Sequence, residues 1–117
     1  MRDFITAYKT CLLWSSVDDD GEPLDKSHDF DSFAPKAIEQ IESECADFLS
    51  DPRTLELCEK HGMAQSGHDF WLTRNYHGAG FWDRGYPTVE GEYLTARAHA
   101  AGSQDPYIGD DGMVYLF

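Results

Sequence analysis

Apolar positions recur at three- and four-residue steps along two stretches in the first half of the chain. Residues 3–15 carry one such stripe, made of Phe4, Ile5, Tyr8, Cys11 and Leu12. A second stripe follows Pro35, with Asp31 or Ser32 as the cap, and comprises Ile38, Ile41, Cys45 and Phe48. This period is typical of an amphipathic α-helix, so both stretches are predicted to be helical.

Two further helices are predicted mainly from their end signals. Asp51 before Pro52 supplies a cap and a first-turn proline, and Gly62 is the expected stop, so a short helix should span about 52–60. Thr88 is the expected cap of a last helix at about 89–101, which Gly102 ends. The residues of this last helix that should face inward are Val89, Tyr93, Ala96 and Ala100.

The pattern changes in residues 67–86, GHDFWLTRNYHGAGFWDRGY. Aromatic and branched side chains at 70–73, a glycine-rich break at 78–80 and the pair Phe81-Trp82 predict a strand, a turn and a strand. In that hairpin Trp71 would face Arg84. The side chains that such a hairpin would offer to a ligand or partner are Trp71, Arg74, His77 and Trp82.

A second hairpin is predicted at the end of the chain, in residues 107–117, where Asp111-Gly112 suits a two-residue type I′ turn. The predicted order is therefore three helices, a hairpin, a helix and a hairpin. Such an order predicts an α+β fold, with the helices packed on one face of a small antiparallel sheet. The length of 117 residues and the lack of a linker predict a single domain, 1–117.

The charge of the chain predicts the type of binding partner rather than the fold. The net charge is −13, and residues 17–51 hold twelve acids and two lysines, a local net charge of −10. Such a field repels nucleic acid and anionic membranes and attracts basic protein surfaces. We therefore expect a protein partner with a basic surface, without direct nucleic-acid or membrane binding. No apolar run of about 20 residues and no signal peptide is recognised.

The candidate partner-binding carboxylates fall in one loop and along the second helix: Asp18, Asp19, Asp20, Glu22, Glu39, Glu42, Asp47 and Asp51. Those on the helix are spaced by about a turn, roughly 5 Å, close to the repeat of phosphates in nucleic acid. The hypothesis of a DNA mimic follows, although a solvated loop and an ordinary amphipathic helix explain the same pattern. The loop resembles a calcium site, but Pro23 replaces the required glycine, which excludes an EF-hand.

An alternative hypothesis is a small enzyme or ligand-binding domain that uses the central hairpin. His68, His77, Asp83 and Arg84 are its candidate acid, base or ligand-binding groups. No zinc-type spacing and no nucleophile elbow accompany them, so no catalytic residue, metal or cofactor is predicted. The three cysteines, Cys11, Cys45 and Cys58, are expected to be buried free thiols, as in a cytosolic chain.

The motif GHDFWLTRN…HGAGFWDRG, together with CLLWSS.DDDG.PLD and GDDG.VYL, resembles a family of small acidic proteins encoded by bacteriophages and prophages. The resemblance covers nearly the whole chain. The family has no established activity, so the resemblance implies a context: an accessory phage protein in the cytoplasm of a bacterial host. By analogy, the resemblance suggests that the protein inhibits a host defence system, such as a CRISPR effector or a restriction enzyme.

Overall fold

A computed structural model describes residues 1–77, 80–82 and 85–117. It confirms the α+β class, with five α-helices and one two-stranded antiparallel sheet among the described residues. Two short 3-10 turns, Leu24–Lys26 and Phe30–Ser32, precede the second helix. The elements are α1 Arg2–Ser15, α2 Pro35–Leu49, α3 Pro52–His61, α4 Met63–Arg74, α5 Thr88–Ala100, β1 Pro106–Ile108 and β2 Val114–Leu116.

The first three helices lie where the apolar stripes and end signals predict them. Asp51 caps α3, and Gly62 ends it with φ of 110°. The predicted cap of α2 is wrong, because the N-cap residue is Ala34, which makes no side-chain capping hydrogen bond. Asp31 and Ser32 belong instead to the preceding 3-10 turn, in which Ser32 completes a capping box with Asp29.

The largest difference from the sequence prediction is α4. Residues 70–73, predicted to be a strand, lie at the end of this helix, so the first strand of the central hairpin is wrong. Arg84, which was predicted to face Trp71, lies outside the described residues. Nearly every residue from Ser66 to Arg74 is buried, and a helix buried on all sides loses the apolar–polar period that identifies it. The aromatic side chains then imitate the composition of a strand.

α4 packs closely against α1 because Gly67 has no side chain. A Cβ atom at this position would lie 2.0 Å from the carbonyl oxygen of Phe4. Phe70, on the same helix, contacts Tyr8 of α1 with ring centroids 5.5 Å apart and stacks on Phe48 of α2 at 4.0 Å. The core is therefore centred where α1, α2 and α4 meet.

The three cysteines are free and buried, as predicted from the sequence. They lie on α1, α2 and α3, in the apolar core. Burial raises the pKa of Cys45 to about 12 and that of Cys58 to about 11. The thiol form is therefore strongly favoured at both positions.

α5 turns a different face to the core from the one predicted. Its buried residues are Gly91, Leu94 and Ala98, whereas Val89 is 70% exposed. Small residues allow the close approach here, since a Cβ atom on Gly91 would lie 2.8 Å from the Phe81 carbonyl oxygen. Thr88 is the first residue of the helix rather than its cap, which is Pro87.

The C-terminal hairpin is confirmed, with Tyr107 of β1 opposite Tyr115 of β2. Its turn differs from the predicted type: Gly109 and Met113 pair through a backbone hydrogen bond and enclose three residues, with Gly112 at φ of 80°. β2 is joined to the helices through the Ala34 N–H, which donates to Val114 O. Val114 is completely buried, so one face of the sheet packs on the core.

Candidate functional site

The acidic surface consists of exposed carboxylates on loop 17–24 and on the outer face of α2. Glu22 is paired with Lys26, with 2.9 Å between Oε2 and Nζ. Within the described part of the chain, the other exposed members form no ion pair. These unpaired members are Asp19, Asp20, Glu39, Glu42 and Asp47. Their negative charge is therefore presented to solvent.

Asp18 holds the shape of the loop. Its Oδ1 accepts the backbone N–H groups of Asp20, at 2.9 Å, and Glu22, at 3.0 Å. The Asp18 N–H in turn donates to the Glu22 carbonyl oxygen at 2.9 Å. Asp19 and Asp20 are thus displayed on a closed turn, and Asp18 positions them.

Asp51 is engaged within the fold. Its Oδ2 accepts the Tyr93 hydroxyl at 2.6 Å and the Thr54 backbone N–H and hydroxyl at 2.9 and 2.8 Å. The Tyr93 hydrogen bond, and then those of Thr54, lower the pKa of Asp51 to about 2. Although it was predicted to bind a partner, this carboxylate caps α3 and links it to α5.

The carboxylates of α2 do not form a straight row. At about 100° per residue, Asp47 lies about 140° around the helix axis from Glu42. Glu44, between them in sequence, turns inward and pairs with Arg74, with 2.6 Å between Oε1 and Nη2. With Asp51 engaged as well, the evenly spaced array expected along this helix is reduced to Glu39 and Glu42, with Asp47 to one side.

Arg74, predicted to lie on a hairpin surface, is instead a core residue with 1% exposure. Its guanidinium donates to Gly102 O at 2.7 Å, Ala101 O at 3.0 Å and the Tyr8 hydroxyl at 3.1 Å. The two carbonyls follow the end of α5, where a positive charge is favoured. Arg74 therefore ties the C-terminal end of α5 to α1 and, through Glu44, to α2.

The other three side chains assigned to that surface divide between core and solvent. Trp71 is buried, and its Nε1 donates to the Ser15 hydroxyl at 2.8 Å. Trp82 is 61% exposed. His77 is exposed beyond the end of α4, beside a cavity of about 280 Å³ that is also lined by Ser15 and Gln104. Trp82 and His77 thus remain accessible to a ligand or partner.

The residues of the enzyme hypothesis are only partly placed, because Asp83 and Arg84 lie outside the described residues. His68 lies within α4, whereas His77 follows its end, which is about 9 Å further along the axis. The ring of His68 is 6.2 Å from that of the exposed Trp14. Among the described residues, no group of three or more His, Cys, Asp or Glu is arranged to hold a metal ion.

A polar cluster that the sequence did not predict joins α3, α4 and α5. Glu90 accepts from His61 Nε2 at 2.6 Å and from Lys60 Nζ at 2.9 Å, and these hydrogen bonds, His61 first, lower its pKa. Nearby, the Tyr86 hydroxyl donates to the buried Asp69 at 2.9 Å, and burial followed by this carboxylate raises the pKa of Tyr86. The sequence signals that could have indicated this cluster are the basic residues at the end of α3 and the acidic residue at the start of α5.

A groove runs between the acidic loop and the C-terminal hairpin. It encloses about 290 Å³ and is lined by residues 17–20, His28 and Pro106–Ile108. His28 fixes one end, because its Nε2 donates to Gly112 O at 3.1 Å while its Nδ1 accepts the Ser27 hydroxyl at 2.9 Å. Acidic side chains and a strand edge therefore meet in one concave surface.

Comparison with protein-family models, curated proteins and solved structures finds no match to the chain. The resemblance to small acidic phage proteins thus stays a prediction from the sequence motif. In the part of the chain that the structure describes, no helix has the length and apolar character needed to cross a membrane.

Proposed function

We propose that the protein is a phage or prophage accessory factor that binds a basic surface of a host or defence complex in the bacterial cytoplasm. A CRISPR effector or a restriction enzyme is the candidate target. The observation that carries this proposal is a set of exposed carboxylates that form no ion pair with any described residue: Asp19, Asp20, Glu39, Glu42 and Asp47. They belong to the segment that holds −10 of the net charge of −13.

Unpaired exposed carboxylates favour binding to a basic partner for two reasons. Their field raises the rate of encounter with a basic partner, and it disfavours acidic competitors. Each carboxylate that finds a cation at the rim of an interface contributes about 0.2–1 kcal/mol, so several must act together. Such binding weakens as salt screens the charges.

Imitation of nucleic acid is the narrower form of this proposal. Glu39 and Glu42 are one helical turn apart on an exposed face, which supports contact with two neighbouring phosphate-binding cations. Asp51 is committed to the α3 cap, so the imitation depends on these two groups together with Asp47. A DNA mimic should compete with DNA for its target, whereas a binder of another basic patch should not.

The test is charge reversal of Glu39, Glu42 and Asp47 to lysine, followed by affinity purification from infected cells with mass spectrometry. The partner should be lost, and the effect on phage growth with it. The matched control reverses Glu56, Glu59 and Glu92, which are exposed acids of α3 and α5 and change the net charge equally. If the α2 triple variant retains the same partner as its control, the proposal is refuted.

The alternative function, a small enzyme or ligand-binding domain, is supported by one observation. His77 lies beside a cavity of about 280 Å³ between the end of α1 and residues 104–106. Substitution of His77 by alanine separates the two functions. An effect on phage growth that survives the charge reversal but disappears in His77→Ala would favour the alternative.

A further inference from the structure

The outer edge of β1 presents backbone groups that nothing in the described structure uses. The hydrogen bonds from Phe117 N to Asp105 O and from Gly109 N to Met113 O, both 2.9 Å, set the alternation of the antiparallel ladder. Tyr107 therefore bonds to β2, while Pro106 and Ile108 direct their backbone groups away from it. The edge offers one donor, the Ile108 N–H, and two acceptors, the Ile108 and Pro106 carbonyls.

This edge opens into the groove opposite the acidic loop. The described lining comes from 17–20, His28 and β1, without a residue of β2, which places the groove on the free side of the strand. Val17 and Tyr107 line it as apolar side chains, 57% and 47% exposed. Asp19 and Asp20 stand on the same loop with their carboxylates in solvent.

We propose that this groove binds an extended, lysine- or arginine-containing segment of the partner protein, which adds to β1 as a third strand. The inference rests on the proposed function and names the chemistry of the segment. Backbone hydrogen bonds to Ile108 and Pro106 align the segment, its apolar side chains contact Val17 and Tyr107, and its cations face Asp19 and Asp20. These carboxylates select a basic segment over an acidic one.

A second copy of this chain is a poorer occupant of the groove. Each copy carries a net charge of −13, and the loops that flank the two edges would bring like charges together. Pairing of two copies would also join two edges that each lack the Pro106 N–H, whereas a segment of another protein brings a complete edge of its own. Charge complementarity therefore favours a basic segment of another protein.

The test uses a blocked peptide of about six residues with alternating lysine and valine, and a matched peptide with glutamate in place of lysine. Amide hydrogen exchange of the full chain is followed by NMR. At a peptide concentration ten times its Kd, exchange of the Ile108 N–H should slow about ten-fold. The Tyr107 N–H, already bonded to β2, is the internal control and should not change. The glutamate peptide should leave both unchanged.

Matched variants test the charge. Asp19→Asn with Asp20→Asn removes two carboxylates at the rim of the groove and should weaken binding of the lysine peptide about five-fold. The loop should keep its shape, because neither side chain supports it. Glu39→Gln with Glu42→Gln removes the same charge outside the groove and should change the Kd less than two-fold. Ile108→Pro removes the outward donor and should abolish binding of the lysine peptide, measured as the loss of peptide-induced chemical shifts. The exchange data on the wild type do not depend on whether this variant folds.

Three results would overturn the inference. Peptide-induced shifts around Glu39 and Glu42 without slower exchange at Ile108 would place binding on α2 and leave the proposed function standing. Slower exchange at Ile108 on raising protein concentration alone would identify a second copy as the occupant. Equal affinity for the two peptides, or no binding of either, would remove the basic segment as the ligand. The partner experiment on the α2 charge reversal is read independently of all three.

Discussion

Removing the Arg74 side chain tests whether a residue that the sequence places on a binding surface is instead a structural tie. Arg74→Ala deletes three hydrogen bonds, to Gly102 O, Ala101 O and the Tyr8 hydroxyl, and an ion pair with Glu44. The guanidinium also lies 5.2 Å from the centre of the Phe70 ring. Its loss should destabilise the junction of α1, α2, α4 and α5.

The magnitude follows from what is left unpaired. Deleting one member of a buried ion pair costs about 3–5 kcal/mol, and each buried polar group left without a partner costs about 1–3 kcal/mol. These contributions overlap, and the Glu44 side chain is 27% exposed, so water solvates part of its charge. We expect a loss of about 3–5 kcal/mol from a free energy of unfolding that is about 5–15 kcal/mol for a domain of this kind.

Urea unfolding followed by circular dichroism measures this loss. With an m value of about 1.5 kcal/mol/M, the midpoint should fall by about 2–3 M. Arg74→Lys keeps the charge but loses the planar fork, and should cost about 2 kcal/mol. Arg53→Ala is the control: Arg53 is exposed and lies 5.3 Å from the Tyr93 ring, so its loss should cost less than about 1 kcal/mol. Equal midpoints for Arg74→Ala and Arg53→Ala would refute the structural role.

Two further predictions concern the helix contact and the α3 cap. Gly67→Ala should destabilise the fold by about 1–3 kcal/mol, because a Cβ atom would lie 2.0 Å from the Phe4 carbonyl oxygen. Helix propensity alone predicts the opposite sign, a gain of about 1 kcal/mol, so thermal unfolding decides between them. Asp51, with its pKa lowered from 3.8 to about 2, contributes stability that is fully present above about pH 4 and is lost as the pH falls through 2. The difference in urea midpoint between the wild type and Asp51→Asn should therefore shrink between about pH 5 and about pH 2.5; a constant difference would show that the carboxylate is not the titrating cap.

For the candidate site, the sequence shows where the acidic residues lie but does not show which of them are available to a partner. Charge is additive along a chain, so the acidic segment is visible without a structure. The sequence does not show which carboxylates are free, because residues distant in sequence decide which of them are hydrogen-bonded within the fold. Tyr93, 42 positions away, engages Asp51. Loop 17–24 meets the edge of β1 only in the folded chain, so the groove had no signal in either segment alone.

Local chemistry was enough to determine the first three helices, the α3 caps, the C-terminal hairpin and the buried thiols. In each case the signal lies within a short stretch of chain, as an apolar period, a cap near its target, or turn residues between two strands. The structure confirms these elements, although not the predicted turn type of the hairpin. Only tertiary packing decided α4 and the inward face of α5. α4 is enclosed by α1, α3 and α5, so it has no solvent-exposed face and its sequence shows no amphipathic period. The small residues that allow close approach, Gly67 and Gly91, carry little hydrophobic signal.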